Sequence, residues 1–330
     1  MSHTRRAPFS PALPVAVLMV ALALVVGLIS GAGSAHAWGP PAKQVKGFIN
    51  EQIYNYGMDH PVSVRAWPSQ TTKPSDAPTV IFLDGLRATN DYNGWERETN
   101  VAYLSQRGYN VVMPIGGQSS FYADWQQASA SAGQRNPYRW ESVLKGSLPQ
   151  FLDRHGFRNR TLVGLSMSAS QAVIVGNQRR DLYQRVVSMS GFMNLVATGM
   201  QTMLRAAAWD AGHYNLNDMW GWFPNAQAFA HSPTENLPSM GGLHLWMYAG
   251  TGVWGDHQPP GANNTDFYIT GFNSTAIESV AGEQSRTFAL AAPAFGVNLR
   301  TDFPITGTHA WGYWQQAIWN IYNNGWFRNG

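Results

Sequence analysis

The stretch Gly164-Leu165-Ser166-Met167-Ser168 limits what this chain can fold into more than any other segment. It follows the apolar run Thr161–Val163 and precedes Ala169–Val175, whose composition suits a helix. A strand that feeds a helix through so few residues must turn sharply, and small side chains are needed where the two elements approach. The serine at the tip is either a nucleophile held up for attack or part of an ordinary strand-to-helix corner. The rest of the chain must decide.

Apolar runs bounded by turn residues predict buried strands at Thr79–Leu83, Tyr109–Met113, Thr161–Gly164, Arg185–Ser188 and Leu243–Tyr248. Val62, Val64 and Ala66 alternate with polar residues, which predicts an edge strand at the start of the domain. Trp140, Val143, Leu144, Leu148, Phe151 and Leu152 recur at helical spacing, and a strongly aromatic helix is expected over Tyr313–Tyr322. Strands alternating with helices imply an α/β fold, with a mostly parallel central sheet covered by helices on both faces. With a G-x-S-x-small elbow between strand and helix, the expected class is the α/β-hydrolase fold.

The N-terminus reads as a secretory signal: Arg5 and Arg6, the apolar run Val15–Ile29, then Ala35-His36-Ala37 as an A-x-A cleavage site. A membrane anchor is the alternative, because the run approaches bilayer-spanning length. Cleavage after Ala37 leaves residues 38–330 as a single domain and lowers the formal charge from +3 to +1. So small a charge provides no electrostatic footprint for nucleic acid. Charged residues make up 12% of the chain, and Trp, Tyr and Phe number 14, 13 and 15. Secreted proteins of this kind often handle sugars or lipids, whose surfaces are partly apolar. The absence of cysteine excludes a disulfide framework and any thiolate metal site.

A serine hydroxyl attacks only when a neighbouring base takes its proton. In this fold the chain order is serine, acid, histidine. Of the later histidines, His244 falls within an apolar strand and is expected in the core. His213, His231 and His257 are expected in exposed loops. His309 precedes the terminal helix, where the fold carries its base. For the acid, Asp256 and Glu278 are equally placed by pattern alone. The oxyanion hole needs two backbone amides, expected from Met167 and from Leu86 in the Leu83–Arg87 loop.

Several segments, in order, resemble the antigen 85 mycolyltransferases and their corynebacterial relatives. They are FLDGLRATNDYNGW (82–95), VMPIGGQSSFYADW (112–125), YRWESVLKGSLPQFL (138–152), Gly164–Met167, DMWG (218–221) and GTHAWGYW (307–314). The resemblance implies a secreted enzyme that moves mycolic acyl chains from trehalose esters to a cell-envelope acceptor at a lipid surface, without metal or organic cofactor. It places the nucleophile on Ser166, the base on His309 and the acid on Glu278, and the oxyanion amides on Leu86 and Met167. Asp84, Arg87 and Trp311 fall on trehalose contacts; an Asp84–Arg87 ion pair shaping the loop and core packing of Trp311 are the plainer alternatives. The chain also departs from the family. Gln126–Asn136 lacks the cysteine pair of the mycobacterial members, and Phe288–Asn298 differs from their fibronectin-binding region, so that activity is not carried over. Met193–Met219, rich in Met, Leu, Ala and Trp, suits either an acyl channel or a core helix.

Overall fold

The computed structural model describes Val45, residues 47–257 and residues 265–328. The apolar run Val15–Ile29 and the expected cleavage site lie outside the described residues. Among those that are described, no helix is long and apolar enough to cross a membrane.

One eight-stranded sheet runs in the order β1-β2-β4-β3-β5-β6-β7-β8. The strands are β1 (Ile49–Ile53), β2 (Val62–Trp67), β3 (Pro78–Phe82), β4 (Asn110–Ile115), β5 (Arg158–Leu165), β6 (Arg185–Met189), β7 (His244–Tyr248) and β8 (Asn298–Asp302). From β4 to β8 neighbouring strands pair in parallel, whereas β1 and β2 are antiparallel. Central strands alternate between two cores. Ile81, Val112 and Leu162 face one, while Val80, Phe82, Val111, Met113, Val163 and Leu165 face the other. The first core packs on the helices of residues 140–154, Ala169–Gln178 and Thr265–Ala291; the second packs on Trp95 and the Trp311–Asn323 helix. Buried on both sides, these strands need apolar residues at nearly every position.

One expectation changes here. Val62–Ala66 is not at the edge, because β1 pairs outside it. β8 forms the opposite edge. Both edge strands, INEQI and NLRTD, are largely polar and partly exposed, so they carry no apolar run to find.

The chain passes from β3 to β4 on one side, then returns to β5 on the other side of β3. Such a reversal opens a crevice beyond the carboxyl ends of β3 and β5, where ligands bind in sheets of this kind. The two strand ends deliver Asp84–Arg87 and Ser166 to that point.

Candidate active site

The turn after β5 is as tight as its composition implies. A Cβ on Gly164 would lie 2.5 Å from the Ser168 carbonyl oxygen and 2.7 Å from Ala169 Cα, so only glycine permits the strand-to-helix approach. Ser166 itself sits at φ +53°, a left-handed conformation that non-glycine residues rarely hold and that clusters at functional sites. Ser168, in place of the second glycine of the elbow pattern, does more than fit. Its Oγ accepts from the Leu165 N–H (2.8 Å) and donates to the Leu165 carbonyl (3.1 Å), which ties the turn together.

His309 Nε2 lies 2.8 Å from Ser166 Oγ, and its Nδ1 lies 2.7 Å from Glu278 Oε2. A carboxylate accepts only, so Nδ1 carries the proton and Nε2 is free to accept from the serine hydroxyl. Glu278 comes from within the Thr265–Ala291 helix rather than from its opening turn, and is fully buried. Its Oε1 accepts from the Ser190 hydroxyl (2.8 Å) and the Gly250 amide (2.6 Å). Ser190 Oγ in turn accepts from Trp314 Nε1–H (2.9 Å), and the Trp314 ring meets the His309 ring edge-on at 4.8 Å. The backbone of His309 is held at both ends by Ser274: its N–H donates to the Ser274 carbonyl (3.1 Å), and Ser274 Oγ donates to its carbonyl (2.8 Å). Asp256, the other carboxylate in contention, is exposed on a turn; it is Glu278 that meets His309.

Ser166, His309, Leu86 and Met167 line one cavity of about 340 Å³. The Leu86 carbonyl accepts from the Ser119 N–H (3.0 Å), which holds the Leu86–Arg87 peptide in place. Met167 stands in the first turn after the elbow, where an amide has no partner within its own helix. Its Sδ accepts from the Phe121 N–H at 3.3 Å.

The polar end of the cavity holds Asp84, Arg87 and Trp311. Asp84 does not pair with Arg87. Its carboxylate accepts from the amides of Gly85 and Gly94, each at 2.7 Å, and its own N–H donates to the Tyr122 hydroxyl. Burial pushes the Asp84 carboxyl up to about 6, against the pull of those two amides. Arg87 forms its ion pair with Asp210, on the Met200–Gly212 helix across the cavity. Trp311 is half-buried, edge-on to Trp95 and Trp314. The apolar wall is built from Phe121, Phe192, Met203, Leu204 and Ile277. The segment Met193–Met219 therefore divides: Met203 and Leu204 face the cavity, whereas Met193 and Met219 are core.

Two histidines differ from expectation. His244 is exposed, because it opens β7 rather than lying inside it. His231 is buried against Trp220 and faces the Gln227 carbonyl and Glu141, since the segment around it folds onto the domain instead of hanging in solvent. Ser190, Gly250, Ser274 and Asp210 were not singled out beforehand. A signal existed for Ser190 alone: Ser-Gly follows β6 just as the elbow follows β5.

The Esterase family profile matches residues 56–323. Diacylglycerol acyltransferase/mycolyltransferase Ag85C of Mycobacterium leprae is 31% identical, covering 94% of this chain and 90% of that protein. The Ag85B enzyme of Mycolicibacterium smegmatis is 32% identical, covering 92% and 91%. Among solved structures, Mycobacterium tuberculosis MPT51 (FbpC1) superposes with a TM-score of 0.68 at 23% identity, over 85% of this chain and 98% of that one. The Staphylococcus aureus serine hydrolase FphF does so with a TM-score of 0.58 at 14% identity, over 88% and 100%. These two likenesses show the α/β-hydrolase fold.

Proposed function

The chain belongs to the Esterase family as an antigen 85 homologue, an acyltransferase, and from that premise we propose that it moves a mycolic acyl chain from trehalose monomycolate to a hydroxyl of the cell envelope. The observation that carries this reading is the unbroken chain Ser166–His309–Glu278, opening onto a cavity with one polar and one apolar end.

His309 Nε2 takes the Ser166 proton as Oγ attacks the ester carbonyl. The charge that develops on the carbonyl oxygen is met by the Leu86 and Met167 amides. Losing one such donor typically costs about 3–4 kcal/mol of transition-state stabilisation. Imidazolium then returns the proton to the departing trehalose oxygen, leaving a mycolyl-serine. An acceptor hydroxyl enters, gives its proton to His309 and attacks the acyl carbonyl; the imidazolium passes that proton to the departing Oγ, which restores Ser166 and neutral His309. Glu278 holds the ring tautomer and stabilises the imidazolium. Asp84, Arg87 and Trp311 suit a sugar, with carboxylate and guanidinium for hydroxyls and an indole face for C–H surface. Phe121, Phe192, Met203 and Leu204 suit the acyl chain, each buried CH₂ contributing about 0.8 kcal/mol. Residues 1–37 would direct the chain to the envelope before removal.

The test is incubation of purified enzyme with a trehalose monoester, with and without trehalose monomycolate, arabinan or a serine-containing peptide as acceptor. Acceptor-dependent ester product is expected. Free fatty acid as the sole product would make the enzyme a hydrolase, and no product together with no covalent serine labelling would make it a binding protein.

A further inference from the structure

A second cavity, of about 310 Å³, opens on the same rim of the sheet as the first. It sits where β2 begins and β4 ends, and Ser63 pairs with Ile115 there. The two cavities share two loops. The loop after β3 gives Asp84–Arg87 and Tyr92 to the first and Asn90 to the second. The loop after β4 gives Phe121 to the first, and Gly116 and Gly117 to the second. The Ser119 N–H to Leu86 carbonyl bond ties these loops to each other.

The lining has a definite chemistry. Trp140 and Met58 form an apolar floor, and Tyr138 stacks on Tyr214 with ring centroids 5.9 Å apart. Gly117, at φ +90°, makes room for the indole: a Cβ there would stand 2.9 Å from Trp140 Nε1. Trp140 is only 2% exposed, yet its indole N–H has no acceptor among the described residues. Around the mouth, His60 and Asn90 are exposed, and their side chains form no hydrogen bond among the described residues. The carboxylate of Asp59 is already taken, accepting from the Arg135 amide (2.8 Å) and Asn136 Nδ2 (2.9 Å). Arg135 is the single lysine or arginine of the lining, and its side chain is 86% exposed. The aromatic lining, the unengaged side chains of His60 and Asn90 and the scarcity of free charge match a neutral saccharide, and do not match an anion or an acyl chain.

We propose that this cavity is a glycan subsite, which holds a sugar unit of an oligosaccharide acceptor while another reaches Ser166. The role in acyl transfer rests on the function proposed above; the binding of sugar does not.

The two are separable in Ser166→Ala protein, which can bind but not turn over. Its tryptophan indole N–H resonances would be followed by NMR during titration with an arabinofuranosyl tetrasaccharide and with maltotetraose, and Trp140→Phe would assign the reporting peak. The Trp140 resonance is expected to move with at least one tetrasaccharide, and His60→Ala/Asn90→Ala to weaken that binding about tenfold. Both positions are exposed, so the variant is expected to fold and to cleave a small p-nitrophenyl ester at the unaltered rate. Movement confined to Trp311 and Trp314, no binding by either sugar, or unchanged affinity in the double variant would overturn the subsite. Failure of the acyl-transfer reading would show instead as free fatty acid being the sole product of the parent enzyme, whatever acceptor is supplied.

Discussion

Two polar clusters on the active-site cavity are built on opposite plans. Around Ser166, every polar atom of Glu278 and His309 already meets the partner that the chemistry requires. In the other cluster, the charges of Asp84 and Arg87 are committed to protein groups, Gly85 and Gly94 in one case and Asp210 in the other. The first arrangement is preorganised, so that little rearrangement accompanies the reaction. The second would have to exchange partners for any ligand that engages those charges. Substitutions in the first should therefore act on turnover, and those in the second on affinity and pH response.

The largest effect is expected for Ser166→Ala. Labelling by a fluorophosphonate should vanish and kcat should fall about ten-thousand-fold or more, with the midpoint of thermal unfolding nearly unchanged. Persistent labelling would place the nucleophile elsewhere and dissolve the contrast. Glu278→Gln should follow, with kcat lower by about 10³- to 10⁴-fold. The amide would keep its oxygen toward Ser190 and Gly250, the two donors, and turn its NH₂ toward His309. Nδ1 would then have to accept, Nε2 would carry the proton, and the ring could no longer take one from Ser166. KM for the trehalose ester should stay near its original value; a large rise in KM with kcat intact would show the two clusters to be coupled.

Asp84→Asn probes the exchangeable cluster through pH. The carboxyl of the folded chain titrates near 6, above its ordinary value of 3.8. Between those values the native state holds a proton that the unfolded state has lost. Stability contributed by this group is thus present below about pH 4 and declines as pH rises through 6, by roughly 3 kcal/mol for a two-unit shift. Urea unfolding from pH 4 to 7 should show the decline in the parent chain and a flatter profile in Asp84→Asn. Equal slopes would mean that the Gly85 and Gly94 amides offset the burial.

The same division governs what could be read from residues alone. β3, β4, β5, β6 and β7 are buried on both faces, so their apolar runs announced them, and the elbow showed itself because a tight turn demands small residues beside Ser166. β1 and β8 remained hidden, because an edge strand meets solvent and needs no apolar run. The partner of His309 was ambiguous by pattern. Helix Thr265–Ala291 brings Glu278 across 31 residues to the imidazole, a long-range contact that no local periodicity encodes. Ser190 and Gly250 were obscure for a related reason: each donates to Glu278 from the end of a different strand, and only the sheet order makes them neighbours. An Asp84–Arg87 ion pair, the plainer alternative that their proximity in sequence offers, does not form: Asp84 is enclosed by backbone amides and Arg87 reaches a helix residue 123 positions away.

That last pairing gives the finest test of the exchangeable cluster. The Arg87 side chain is 53% exposed and that of Asp210 21%, so their ion pair contributes under about 1 kcal/mol to stability. Asp210→Asn should leave the unfolding midpoint within a degree or two, but free the guanidinium for sugar. If Asp210 competes with the substrate for Arg87, KM for the trehalose ester should fall by about twofold to fivefold in Asp210→Asn and rise about tenfold in Arg87→Ala, with kcat steady in both. The double variant would match Arg87→Ala alone, since Asp210 acts only through the guanidinium. A rise in KM for Asp210→Asn would reverse the assignment: Asp210 would then be holding Arg87 in its binding posture, and both clusters would be preorganised.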